Sequence, residues 1–393
     1  MITVAILHLD KIAGIIIFIY YKLSLLPFSI SNQVTREEIM QMIRLLLLSF
    51  IMLCIGCADQ QHQQKKLDIV AESGRLWTGI AVDNQNRIFV NYPRWIPGKG
   101  ISVAEVLSVD SIRPFPDQVW NSWEPGKAGK DHFVCIQSVY VDADNFLWIL
   151  DAGLDVTSGL VKGGPKLLKV DLNTNQIISK YFLDAPLTLP GSYLNDVRVD
   201  TERKYAYLTD SGRGALIVLN LKNSSARRLL GNHPSTKSED ITLVIEGSKW
   251  LDPRGNRPQI HSDGIALSPA RDYIYFQALT AKNLYRIKTI YLRDSGISDT
   301  DLGAKIESVV QSGASDGLIF DRHGNLYISA IEENAVKRYT PDGKIEIVVQ
   351  DSLLKWPDSF AIDSNKNLYV TSSQIHLGPK RNEPFRIFRY QLE

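Results

Sequence analysis

Four side chains with oxygen at their tips share one place in an internal repeat. Asn195, Asp263, Asp316 and Asp358 each stand five residues before the residue that closes an apolar strand-like run. Gln137 and Thr78 hold the same place in the two earlier copies. Brought together out of water, three carboxylates repel one another unless protons or a cation compensate them. Such a ring suits a cationic ligand. With oxygen ligands alone, from Asn195, Asp263 and Asp358, it also suits a hard divalent cation, Ca²⁺ before zinc. The competing reading is local: Asp and Asn at strand entries accept hydrogen bonds from loop amides and cap the chain there.

The elements that must position these residues are legible from the same repeat. The phrase opens at Trp77, Ile136, Leu194, Ser262, Ser315 and Trp356, and its closing residues Asp83, Asp142, Asp200, Ser268, Asp321 and Asp363 are 42–68 residues apart. Each copy runs from an alternating apolar strand through Asp, Asn or Gly into a second strand rich in Tyr, Ile, Leu and Val, the composition of a hairpin. Further strand-like runs follow, such as "LLKVDL" and "LIVLNL", and no long amphipathic helix is legible after residue 68. A fixed repeat of this kind predicts an all-β, six-bladed propeller of four-stranded blades. The stretch "KLDIVAES" has no phrase of its own and is expected to pair into the last blade, closing the ring by joining N- and C-terminal strands.

In such a fold the first strand of each blade lines the channel, so the ring Gln137, Asn195, Asp263, Asp316 and Asp358 is expected at one mouth. Loops after the second strands should open on that face, bringing Asn91, Tyr92, Arg94, Asp151, Asp210, Glu332 and His376, with His261 close by. Arg94 and His376 join the candidate ligand-binding set. Tyr92, Trp95 and Trp356 are candidates for aromatic surface. The stretch "GASDG" imitates a nucleophile elbow but is followed by a strand-like run, where the elbow needs a helix. No catalytic residue is assigned.

Residues 42–57 carry an export signal, with Arg44, an apolar stretch and "CIGC" at its end. The end resembles a bacterial lipobox with Cys57 as the lipidated residue, although Cys54 stands where Leu is usual. Residues 58–68 read as a polar tether and 69–393 as the propeller. Residues 1–41 read as sequence upstream of a start at Met42 or Met40, or else as a membrane segment. The expected location is the periplasm or cell surface, lipid-anchored or otherwise secreted, with the membrane touched only through that anchor. Past Cys57 only Cys135 remains, too few for an internal disulfide. A net charge of +1 gives no footprint for nucleic acid. A monomer is expected.

The phrases "GRLWTGIAVDNQNRIFVNYPRW", "LWILDAG", "LNDVRVD", "SDGIALSP" and "WPDSFAID" through "LYVTSSQIH" resemble the yellow/major royal jelly protein family, specifically its bacterial members. The resemblance runs from about Gly74 to the C-terminus. It implies a six-bladed propeller facing the cell exterior, and relatives connected with melanin formation, amine binding or storage. The ring also resembles that of gluconolactonase/regucalcin-type propellers, which hold a divalent cation through Glu, Asn, Asn and Asp. Thr78 stands where the Glu would be. Three functions follow as expectations. One is an exported protein binding a small cationic or aromatic molecule in the funnel. The others are a divalent-metal-dependent hydrolase or lactonase, and a non-catalytic structural or interaction propeller.

Overall fold

The computed structural model describes Gln41, residues 67–96 and residues 100–392. The export signal, Cys57 and the tether up to residue 66 lie outside the described residues. Among the described residues no helix is long and apolar enough to cross a membrane.

The described chain forms six four-stranded antiparallel sheets. Their first strands are Ile80–Val82, Ile136–Val141, Leu194–Asp200, Ser262–Leu267, Leu318–Phe320 and Pro357–Ile362, one for each copy of the phrase. Neighbouring first strands pack on one another, and the last packs on the first. This is a six-bladed β-propeller. Asp68–Ser73 pairs with Phe385–Gln391 as the outermost strand of the sixth blade, so the two ends of the chain close the ring and remove an exposed edge.

Core packing follows the alternation in the sequence. Residues on one face of a blade meet the facing residues of the next: Phe89 and Val103 of the first blade join Val139, Leu147 and Ile149 of the second. The sixth blade meets the first in the same way, through Tyr369 and Ile387 against Trp77 and Val90. The closing residue of each phrase is a turn residue. Asp142 Oδ1 accepts from the amides of Asp144 and Phe146, and Asp321 and Asp363 repeat the pattern two and four residues on. Ser268 accepts with its hydroxyl from the amides four and five residues on, those of Asp272 and Tyr273. These are side-chain turns that fold the hairpin locally.

At the leading residue the first strand breaks register. A bulge lies between Ile136 and Ser138, between Leu194 and Val197, between Ser262 and Ile265, and between Pro357 and Phe360. Bulges bend a strand and re-aim a side chain, here turning the leading residue towards the axis. The amides freed by the bulge need partners, and the second strand supplies them. Thr209 Oγ1 accepts from Asp196 N–H and Thr371 Oγ1 from Ser359 N–H; in the first blade, which has no bulge, Asn91 Oδ1 accepts from Gly79 N–H at the same place. Thr209 and Thr371 then donate to carbonyls of the next blade, those of Asp263 and Thr78. Glycine follows the leading Asp where blades approach most closely: a Cβ on Gly264 would lie 2.4 Å from Asp316 O, and one on Gly317 2.0 Å from Asp358 O.

Candidate functional site: an acidic cavity under tryptophans

Five of the leading residues meet at one cavity of about 280 Å³: Gln137, Asn195, Asp263 and Asp358 from the bulges, and Asp316 from just before its strand. Tyr193, Trp95, Trp250 and Trp356 form much of the remaining wall, with Ser211, Gln259 and Ile260. Thr78 is not among the lining residues; its hydroxyl donates to Gln137 O.

The three carboxyl groups are buried, with residue exposures of 3, 8 and 3 % for Asp263, Asp316 and Asp358. Burial raises the Asp263 carboxyl well above its usual range, and the charges of Asp316 and Asp358 add to the rise. Asp358 is raised in the same way by burial and then by Asp316. Asp316 is pushed up to about 6 by burial, opposed by the indole N–H of Trp356. The carboxyls of Asp263 and Asp316 also act on each other, which raises Asp263 and lowers Asp316. Burial and mutual repulsion thus oppose full ionisation of the triad.

Protein donors hold each acid in place. Asn195 Nδ2 donates to Asp263 Oδ2 at 2.9 Å and to Ser211 Oγ at 3.0 Å. Trp356 Nε1 donates to Asp316 Oδ2 at 2.7 Å. Ser373 and Ser359 donate to the two oxygens of Asp358. Trp356 takes this position with φ at 56°, an outlier for a bulky residue that only a well-packed surround sustains. Trp95 Nε1 donates to Tyr193 OH at 2.6 Å, which donates in turn to Gln137 Oε1 at 2.8 Å. Burial raises the Tyr193 phenol well above its usual range and the neighbouring Cys135 thiol to about 11, so both stay protonated.

Residues 134–392, about two thirds of the chain, match the family described as Major royal jelly protein. The chain belongs to the major royal jelly protein family. Among curated relatives in sequence, it is 25% identical over 315 residues to Protein yellow of Drosophila erecta, covering 74% of this chain and 57% of that protein. It is 24% identical over 352 residues to Dopaminechrome tautomerase of Drosophila melanogaster, covering 80% of this chain and 73% of that one. The chain thus spans less than two thirds of the length of the yellow proteins it matches. In fold it is similar to a gluconolactonase from Xanthomonas campestris (TM-score 0.52, 15% identity, 82% of this chain and 88% of that one). It is also similar to regucalcin, a calcium-binding protein from Agrobacterium tumefaciens (TM-score 0.50, 14% identity, 83% and 94%). At these identities the two structures bear on the fold alone.

Other residues expected at the mouth of this royal jelly family propeller have structural tasks. Arg94 lies outside the cavity lining, where its guanidinium donates to Ser102 Oγ and to the carbonyls of Gly100 and Asn121. It braces the loop after the second strand, and burial lowers its pKa. His376 is also outside the lining: its ring stacks on Trp356 with centroids 6.0 Å apart, and Nε2 meets Glu246 Oε2 at 2.8 Å. It backs the wall of the cavity. Asp151 forms a fully buried ion pair with Lys166 at 2.6 Å, and Asp210 pairs with Arg228 at 2.7 Å. Tyr92 is buried against Trp77. His261 Nδ1 accepts from Ser238 N–H.

Calcium is a poor fit to these oxygens. Four of the six carboxyl oxygens of the triad already accept a protein donor. The place of a fourth acidic ligand is taken by Thr78, whose hydroxyl is committed to a backbone carbonyl. Among the described residues no group of three or more His, Cys, Asp or Glu is arranged to hold a metal ion.

Three features escape the repeat. The segment between Leu229 and Ser262 caps the cavity with Trp250, Gln259 and Ile260. Its one advance signal is that it fills the longest interval between phrases. Tyr193 directly precedes the third phrase and points to the cavity. Arg198, three residues past Asn195, crosses the channel. Its guanidinium pairs with Asp196 at 2.9 Å and donates to Leu318 O, on the fifth blade, at 2.7 Å. Beyond it a second cavity opens at the other mouth, and the two share no lining residue.

Proposed function

We propose that this protein binds a small organic cation carrying an aromatic or apolar body in the cavity of the acidic triad. The observation that carries the reading is the meeting of Asp263, Asp316 and Asp358, all buried, beneath the indoles of Trp95, Trp250 and Trp356. A desolvated negative field attracts a cation more strongly than the same charges in water, and indole surface adds cation–π attraction and apolar contact. The opposition to full ionisation matters here. A triad short of full ionisation suits one positive charge better than two. Fluorescence titration with phenethylamine and its N,N,N-trimethyl derivative, repeated on Asp358→Asn, tests the reading. Saturable quenching weakened at least about tenfold by the substitution is expected; no saturable response to either compound would sink it.

A second reading draws on the unequal shifts of two of the acids. The ionised member of the Asp263–Asp316 pair can take a proton from one atom of a bound ligand while its partner delivers one to another, leaving the proton count unchanged. That is a tautomerisation, in keeping with the name of the Drosophila relative. Following dopaminechrome absorbance with wild-type protein and Asp263→Asn distinguishes catalysis from binding alone. Export, with lipid attachment at Cys57, is proposed on the sequence of residues 42–57 alone.

A further inference from the structure

Within that reading, the polar edges of the cavity say which cations fit. A primary ammonium brings three N–H donors, and each needs an acceptor once it leaves water. The cavity has few acceptors to spare. Asp263 and Asp316 each already accept from a protein donor, Asn195 and Trp356. Both oxygens of Asp358 accept from serine hydroxyls.

The aromatic walls are committed likewise. The indole N–H of Trp95 goes to Tyr193, the phenol of Tyr193 to Gln137, and the indole N–H of Trp356 to Asp316. Trp250 meets Trp356 edge-on, with centroids 4.8 Å apart. Apart from the amide groups of Asn195 and Gln259, what the walls leave for a ligand is carbon surface around a negative field. Such a lining suits a cation whose charge is spread over methyl groups and which has no hydrogen bonds to satisfy.

We propose that the cavity selects quaternary or fully N-methylated ammonium compounds over the corresponding primary amines, with Trp250 as the selecting wall. This inference rests on the proposed binding function and narrows its ligand class. Trp250 belongs to the cap between the third and fourth blades, outside the blade sheets, so it can be changed without touching a strand.

The experiment is calorimetry on the propeller chain with four probes: phenethylamine, its N,N,N-trimethyl derivative, choline, and the neutral choline analogue 3,3-dimethylbutan-1-ol. The trimethyl compound is expected to bind about tenfold or more tighter than phenethylamine, with choline ahead of its neutral analogue. Trp250→Leu, checked for wild-type thermal stability, should erase the preference for methylation. Equal or tighter binding of phenethylamine overturns this inference and leaves the binding function standing. So does a preference unchanged in Trp250→Leu. Failure of every cation to bind overturns both.

Discussion

The indole N–H of Trp356 points at Asp316 Oδ2 from 2.7 Å, and it does so from a left-handed backbone. The bond favours the ionised carboxylate and opposes the rise in its pKa that burial causes. Trp356→Phe should therefore move the Asp316 titration upward from about 6. It should also cost roughly 1.5–3 kcal/mol of stability through loss of a hydrogen bond to a charged group. Carboxyl carbon NMR titration and urea unfolding read the two effects. A titration that moved down would contradict this account of the site.

The triad also sets the sign of a pH effect on folding. Asp263, Asp316 and Asp358 have folded pKa values above their unfolded ones, so the native state holds more protons than the unfolded chain. Their contribution is fully present below the unfolded values near 3.9 and is lost as pH rises through the folded values. For Asp316 that window closes at about 6; for the other two it extends higher. Asp358→Asn should thus stabilise the protein at pH 8 by on the order of 1–3 kcal/mol and leave pH 4 nearly unchanged. Thermal unfolding at both pH values checks it, and destabilisation at pH 8 would show that the acid is compensated in a way not described above.

Calcium should have little effect. Titration with Ca²⁺ is expected to give no stoichiometric heat and no rise in unfolding temperature beyond the shift that unspecific ionic strength produces. A stoichiometric heat abolished in the double variant Asp263→Asn, Asp358→Asn would instead favour the metal-dependent hydrolase over the binding function.

The glycine after the leading Asp is a contact residue. Gly317→Ala drives a Cβ to 2.0 Å from the Asp358 carbonyl, backbone against backbone, and should cost about 2 kcal/mol or more. Gly74, where a Cβ would meet nothing within 4 Å, is the control: Gly74→Ala should stay within about 0.5 kcal/mol of wild type. Similar losses at both sites would remove the packing argument.

Ring closure makes a further prediction. Deleting residues 68–73 strips the strand that covers Phe385–Gln391 and leaves its backbone groups free to pair with another chain. The truncated protein should associate, visible as a concentration-dependent shift in size-exclusion chromatography. A truncated form that remained unchanged in size at high concentration would mean that the edge is protected by other means.

The blades were legible because each repeats one hairpin whose turn residue, apolar alternation and leading acid are all local in sequence. The register of Asp263, Asp316 and Asp358 followed from it, since equal positions in equal strands fall on one ring. Arg94 and His376 lie outside the cavity lining, and their placement was hidden for the opposite reason. Their loops do lie near the mouth, but a side chain's direction depends on partners such as Asn121 and Glu246, the latter 130 residues from His376. Trp250 and Arg198 belong to no repeat position with a common task. Their contacts with Trp356 and Leu318 exist only once the ring is assembled.

Arg198 gives the channel its direction of traffic. A six-bladed ring is a tunnel, yet the guanidinium stretched from the third blade to the fifth walls it off below the acids. On the proposed binding function, a molecule resting on Asp263 would enter and leave past the same tryptophans. Residence time is then set at one doorway, and whatever changes that doorway changes capture and release together.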